Sequence, residues 1–138
     1  MKYLLDTDGC IELIRRKPPR LIKRLTKCQP GEVGFSSITT AELWFGVAKS
    51  GDPVKNREAL AGFLVPFEIA PFDESAAAAY GEIRAALEKA GTPIGSMDLL
   101  IGAHAVSLSV TLVTANSREF RRIRGLRLAN WLTSSGHR

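Results

Sequence analysis

Cysteine is scarce in this chain of 138 residues: Cys10 and Cys28 are the only two. They stand in no CxxC or CxxH spacing, which argues against a zinc framework and against a disulfide, and leaves two reduced thiols as the expectation. Long apolar runs are also missing. Nothing approaches the ~20 residues a membrane helix needs, so no membrane partner is expected. Charge enters at Lys2 and Asp6, too early for the apolar segment of a secretory signal, and the expected location is the cytoplasm. No repeat or low-complexity stretch occurs. Aromatics make up 7% of the chain, and Trp44, Phe45, Phe63, Phe67 and Trp131 show no spacing suited to base stacking. They read as core or interface residues.

What is present fits one globular domain. The composition is 45% hydrophobic and 24% charged, ordinary for a soluble protein, and the length supports a single core. The domain is expected over 1–133, with 134–138 as a flexible C-terminal tail. Net charge is +5, unevenly spread. Residues 1–27 carry eight Lys/Arg against three acids, and 118–138 carry six Arg against one acid. The stretch between has five basic and ten acidic residues. Two basic ends around an acidic middle suggest a polyanion drawn toward an acidic, cation-binding centre. Arg15, Arg16, Lys17, Arg20, Lys23, Arg24 and Lys27 also suit a plain solvated helix face.

Strands are expected near 2–5, 33–37, 67–70 and 111–114, with a short fifth near 126–129. Helical segments fall between, at about 9–16, 19–27, 39–49, 54–64, 73–90, 97–109 and 117–122. Pro18-Pro19, Gly51-Asp52-Pro53 and Gly91-Thr92-Pro93 separate them. This alternation indicates a three-layer α/β/α domain with a central, mostly parallel sheet of four to five strands.

Four side chains sit where a strand ends or a helix begins: Asp6, Glu42, Asp98 and Asn116. In open parallel sheets the crevice beyond the carboxyl ends of the strands is where ligands bind. Carboxylates gathered there repel one another unless a cation sits among them, and a hard divalent ion such as Mg²⁺ answers that need. Three of the four also have structural readings. Thr39-Thr40-Ala41-Glu42 matches a capping box, Asn116 with Glu119 reads as a helix cap, and Asp98 suits a helix N-terminus after a Ser96 cap. Asp6, directly after Tyr3-Leu4-Leu5, reads better as a ligand than as a structural residue. The helix opened by Asp98 is apolar on nearly all sides and should be buried.

The ordered set of segments carries a resemblance. Leu4-Leu5-Asp6-Thr7-Asp8, then Ser37-Ile38-Thr39-Thr40-Ala41-Glu42-Leu43, then Pro93-Ile94-Gly95-Ser96-Met97-Asp98-Leu99, then Leu112-Val113-Thr114-Ala115-Asn116 together resemble the PIN-domain ribonucleases, specifically the VapC-type toxins of toxin–antitoxin pairs. The resemblance runs from residue 2 to about Trp131. It implies a metal-dependent endoribonuclease in which Asp6, Glu42 and Asp98 are the catalytic, metal-binding acids, with Mg²⁺ as cofactor and Mn²⁺ able to substitute. Asn116 falls where many relatives carry a fourth acid, and Glu119, one turn on, could compensate. Thr7, Asp8, Thr114 and Glu119 are candidates for orienting the ligands. The implied partners are an RNA substrate, a cognate VapB-like antitoxin whose C-terminal segment covers the cleft, a second copy of the chain, and operator DNA reached only through the antitoxin. Leu60, Phe63 and Leu64 form the expected dimer face. His104, six residues beyond Asp98, reads as structural or surface-facing rather than as a general acid.

Two rivals follow. Asp6-Thr7-Asp8-Gly9 resembles the first motif of haloacid-dehalogenase-type phosphatases, but those need a later acidic pair, and no Asp follows Asp98. The other is a catalytically weak PIN domain serving as a binding module in a repressor complex, for which the amide at Asn116 leaves room.

Overall fold

The computed structural model describes residues 1–133, so the expected tail at 134–138 lies outside the described residues. Five strands form one sheet: β1 (Tyr3–Leu5), β2 (Val33–Ser36), β3 (Glu68–Ala70), β4 (Thr111–Val113) and β5 (Arg127–Ala129), in the order β3-β2-β1-β4-β5. Every pairing is parallel. Helices α1 (Thr7–Arg15), α2 (Pro19–Thr26), α3 (Ser37–Ala48), α4 (Pro53–Leu64), α5 (Glu74–Lys89), α6 (Ser96–Leu108) and α7 (Ser117–Phe120) make the connections.

Successive side chains of a strand point to opposite faces, and the central strands show it. Leu5 and Val113 enter one core with Phe35, Leu13, Leu21, Leu43 and Leu60 from the α1–α4 side. Leu4 and Leu112 enter the other, with Leu87, Leu99, Ile101 and Phe120 from α5, α6 and α7. Both faces of the sheet are thus covered, the arrangement that parallel strands require. Each fully buried Leu or Phe contributes roughly 1.5–3 kcal/mol by leaving water. Gly34 is needed where β2 meets β3, because a Cβ there would come within 2.5 Å of the Glu68 carbonyl oxygen.

Strand order reverses between β1 and β4, so the chain leaves their carboxyl ends in opposite directions and opens a crevice there. Asp6 follows β1 and Thr114 follows β4.

Helices α1 and α3 begin earlier than the sequence suggests, straight off their strands. Asp6 caps α1 by accepting from the Gly9 N–H at 2.8 Å. Ser36, the last residue of β2, caps α3 by accepting from Ile38 at 3.0 Å. The Thr39–Glu42 capping box is therefore absent, and Glu42 lies in the second turn of α3. The α6 cap is Gly95, not Ser96, with no side-chain bond. Of the expected dimer face, Leu60 is 6% exposed and belongs to the core, while Phe63 and Leu64 pack against that core half-buried and keep part of their surface.

Candidate active site

The β1–β4 crevice is built around one carboxylate. Asp6 is 4% exposed, and each of its oxygens has a protein donor. Oδ1 accepts from Gly9 N–H at 2.8 Å, and Oδ2 accepts from the Thr114 hydroxyl at 2.5 Å. Asp6 therefore does have a structural role, contrary to its sequence reading, while still facing the crevice. Gly9 makes this possible, because a Cβ at that position would lie 2.9 Å from Asp6 Oδ1 and 2.6 Å from Leu5 Cδ1. Thr114 in turn accepts from the Asn116 backbone N–H at 2.9 Å. Asn116 stands at the N-cap of α7 but makes no side-chain cap. Its amide instead donates to Asp98 Oδ2 at 3.4 Å, so Asp98, Asn116, Thr114 and Asp6 form one connected line.

The cleft is about 350 Å³, lined by Asp6, Asp8, Glu12, Asn116, Leu132 and Thr133 among others, and no Lys or Arg lines it. Its charges are consequently uncompensated. Burial pushes Asp6 up to about 6, further raised by the charges of Asp8 and Asp98, although the Thr114 and Gly9 hydrogen bonds pull the other way. Asp98 is half-buried and also raised, by burial first and then by Glu119 and Asp8. These influences place Asp8 near both acids and Glu119 near Asp98. Thr7 takes another part: its hydroxyl bonds that of Thr39 at 3.0 Å, tying α1 to α3.

Glu42 is not in this cluster. It lines a neighbouring groove of about 430 Å³ between α1, α3 and α4, with Ile11, Ile14, Leu43, Val47 and Phe63. Its charge is not among those acting on Asp6 or Asp98. Among the described residues, no three His, Cys, Asp or Glu side chains converge to hold a metal ion as they stand. The donor chemistry nevertheless suits a hard cation, since Asp6, Asp98 and Asn116 offer only oxygen. Mg²⁺ keeps several waters and takes one or two carboxylates from a protein.

His104 is wholly buried rather than surface-facing. Its Nδ1 meets the Ser36 hydroxyl at 2.8 Å and its ring lies edge-on to Phe72, 5.2 Å between centroids. Burial lowers its pKa, and it is far from serving as an acid in the cleft. Sequence reasoning missed Gly9, Glu12 and Ser36. The signal for Gly9 was available: a residue without a side chain, three positions after an acid that ends a strand.

The PIN domain family matches residues 3–126. The tRNA(fMet)-specific endonuclease VapC of Shigella flexneri is 39% identical over 131 residues, covering 95% of this chain and 98% of the relative. Ribonuclease VapC2 of Haemophilus influenzae is 40% identical over 132 residues, covering 96% and 99%. Among solved structures, the DNA-bound VapBC complex of Salmonella typhimurium contains a chain with TM-score 0.90 and 40% identity, covering 95% of this chain and 98% of that one.

Proposed function

We propose that this chain, which belongs to the PIN-domain family and within it to the VapC-type ribonucleases, is the metal-dependent endoribonuclease toxin of a toxin–antitoxin pair. The observation that carries the metal dependence is the uncompensated acid pair: Asp6 at 4% exposure, raised to about 6, beside the half-buried Asp98 and with no Lys or Arg lining the cleft. A fold tolerates such charges where a cation offsets them in use. Relatives about 40% identical are named for ribonuclease activity, and that of Shigella flexneri for tRNA(fMet), so tRNA is the proposed substrate class.

Asp6 and Asp98 would hold Mg²⁺ or Mn²⁺, with Asn116 as a neutral oxygen donor and Glu42 approaching from α3. When bound, such a cation lowers the pKa of a coordinated water and stabilises charge on a phosphodiester. The chain's own residues prepare the site. Thr114 and Gly9 lock the Asp6 carboxylate in one orientation, and Asn116 ties Asp98 to the same line. Asp8 adds negative charge near both acids and Glu119 adds it near Asp98, which strengthens the demand for a cation. His104, buried and turned to Ser36, supplies no proton to the cleft.

The proposed partner is a VapB-like antitoxin. Its C-terminal segment would offer a cation to Asp6 and Asp98 and lay apolar residues into the α1–α3–α4 groove. Operator DNA would be reached through that partner, and two toxin copies would serve one antitoxin dimer.

A second reading, a catalytically weak binding module, draws on the amide at Asn116 and on the unconverged acids. One experiment separates them. Purified wild type should cleave tRNA(fMet) with Mn²⁺ and lose that activity on chelation, and Asp98→Asn should be inactive. Full activity in Asp98→Asn at saturating metal would end the metal-nuclease reading.

A further inference from the structure

Beside the acidic cleft lies a second groove of about 430 Å³, lined by Arg20, Lys23, Arg24, Lys27, Asn130 and Trp131. The four cations occupy positions i, i+3, i+4 and i+7 of α2 and its C-cap, which puts them on one helical face. All four are exposed, and among the described residues none forms an ion pair. No acid lines the groove. The opposite face of α2 is anchored by Leu21, buried in the core with Ile22 and Leu25 packed against it. The cations are thus held on a fixed helix rather than on a loose arm.

Two features tie this groove to the cleft. Asn130 and Trp131 line the groove, and the next two residues, Leu132 and Thr133, line the cleft. Asn130 braces that shared wall, its Oδ1 accepting from the Leu132 and Thr133 backbone N–H groups at 2.9 and 3.1 Å. Trp131 is 3% exposed, sits under the Arg24 guanidinium (5.0 Å to the ring centroid), and leaves its Nε1–H without an acceptor in the protein.

We infer that the α2 groove binds the sugar–phosphate backbone of RNA flanking the bond to be cut. This inference rests on the ribonuclease reading above. An acidic cleft repels a phosphodiester, so affinity for the polymer must come from cations outside it. Arg20 to Lys27 spans about 10 Å of helix axis at 1.5 Å per residue, long enough for the cations to meet successive phosphates of one strand. The indole face that could stack on a base is covered by Arg24. The groove therefore reads charge and not sequence, and specificity has to arise elsewhere. An acidic peptide would also meet the charge, but the continuity with the cleft along 130–133 favours a chain that enters both.

The test is a variant with Arg20→Gln, Lys23→Gln and Lys27→Gln together, leaving Arg24 on Trp131. Binding of a labelled tRNA(fMet) transcript is followed by anisotropy in chelator across a salt series, and cleavage is measured with Mn²⁺. The variant should bind more weakly, with its salt slope (log K against log[salt]) shallower by about 2, at ~0.7 per phosphate contact on a single strand. KM should rise with kcat retained, and Lys23→Arg with Lys27→Arg should restore the slope. An unchanged slope in the triple variant, with wild type binding and cleaving normally, overturns the groove while leaving the ribonuclease reading intact. Loss of complex formation with the antitoxin, with the RNA slope unaltered, assigns the groove to a protein and also overturns it. A wild type that neither binds nor cuts the transcript fails the ribonuclease reading itself.

Discussion

The acidic cleft and the basic groove share a wall of four residues, yet they are built by opposite means. The cleft draws Asp6, Asp98 and Asn116 from the ends of β1 and β4 and the start of α6, more than a hundred residues apart, and buries Asp6 almost fully. The groove takes its cations from two turns of one helix and leaves them in water. Charges on an exposed helix face cost the fold little. Buried like charges cost it stability that hydrogen bonds from Thr114 and Gly9 only partly return. On the proposed reading, chemistry and affinity separate here: the expensive charges would hold a cation and the inexpensive ones a polymer.

The largest effect should come from the cleft. Asp6→Asn or Asp98→Asn should lower tRNA cleavage by at least about 10²–10³-fold, on the scale of losing one preorganised charge-stabilising group. RNA binding in chelator should not weaken, whereas the groove variant should bind more weakly and keep its kcat. Parallel kinetics and anisotropy on both variants would expose any overlap of the two roles.

A smaller effect concerns stability. The Asp6 carboxyl is raised to about 6 in the folded chain, from 3.8. The folded state therefore binds the proton more tightly than the unfolded chain. Its stabilising effect is complete below pH 3.8 and is lost as pH rises through 6. The metal-free protein should lose about 2–3 kcal/mol from this group across that window. Asp6→Asn should remove the dependence and raise the neutral-pH melting temperature. His104 has the opposite sign, since its pKa is lowered from 6.5 by burial. Its contribution is present above 6.5 and lost as pH falls, so His104→Gln should flatten the acid side of the profile. Denaturant melts from pH 4 to 8 would resolve the two slopes.

The smallest effect belongs to Asn116. Its amide donates to Asp98 and contributes no charge. Asn116→Ala should cost less cleavage than Asp98→Ala, and Asn116→Asp should tighten Mn²⁺ binding in a calorimetric titration. Equal losses from the two alanine variants would make Asn116 as necessary as the acids.

The sheet was legible in the sequence because apolar strand runs, Pro and Gly breaks and helix periods agree, as in Leu4-Leu5 and Leu112-Val113. Helix starts were less so. Asp6 and Ser36 each end a strand and cap a helix at once, a double use that spacing alone does not reveal. The acids at strand ends could be found because position along a parallel sheet predicts position in space. Which acids meet could not: Glu42 sits one turn deeper in α3 than its capping-box reading required, and lines the apolar groove instead. His104 lies on a helix apolar all round, so only packing told that it faces Ser36.

The central claim, that the cleft's buried carboxylates exist to hold a cation, is tested most directly by thermal melts at neutral pH with and without Mn²⁺, on wild type and Asp6→Asn side by side. Wild type should gain stability with Mn²⁺, by about 2.7 kcal/mol at a hundredfold excess over Kd. Asp6→Asn should start higher without metal and not move when it is added. Equal shifts in both proteins, or no shift in wild type, would contradict the account.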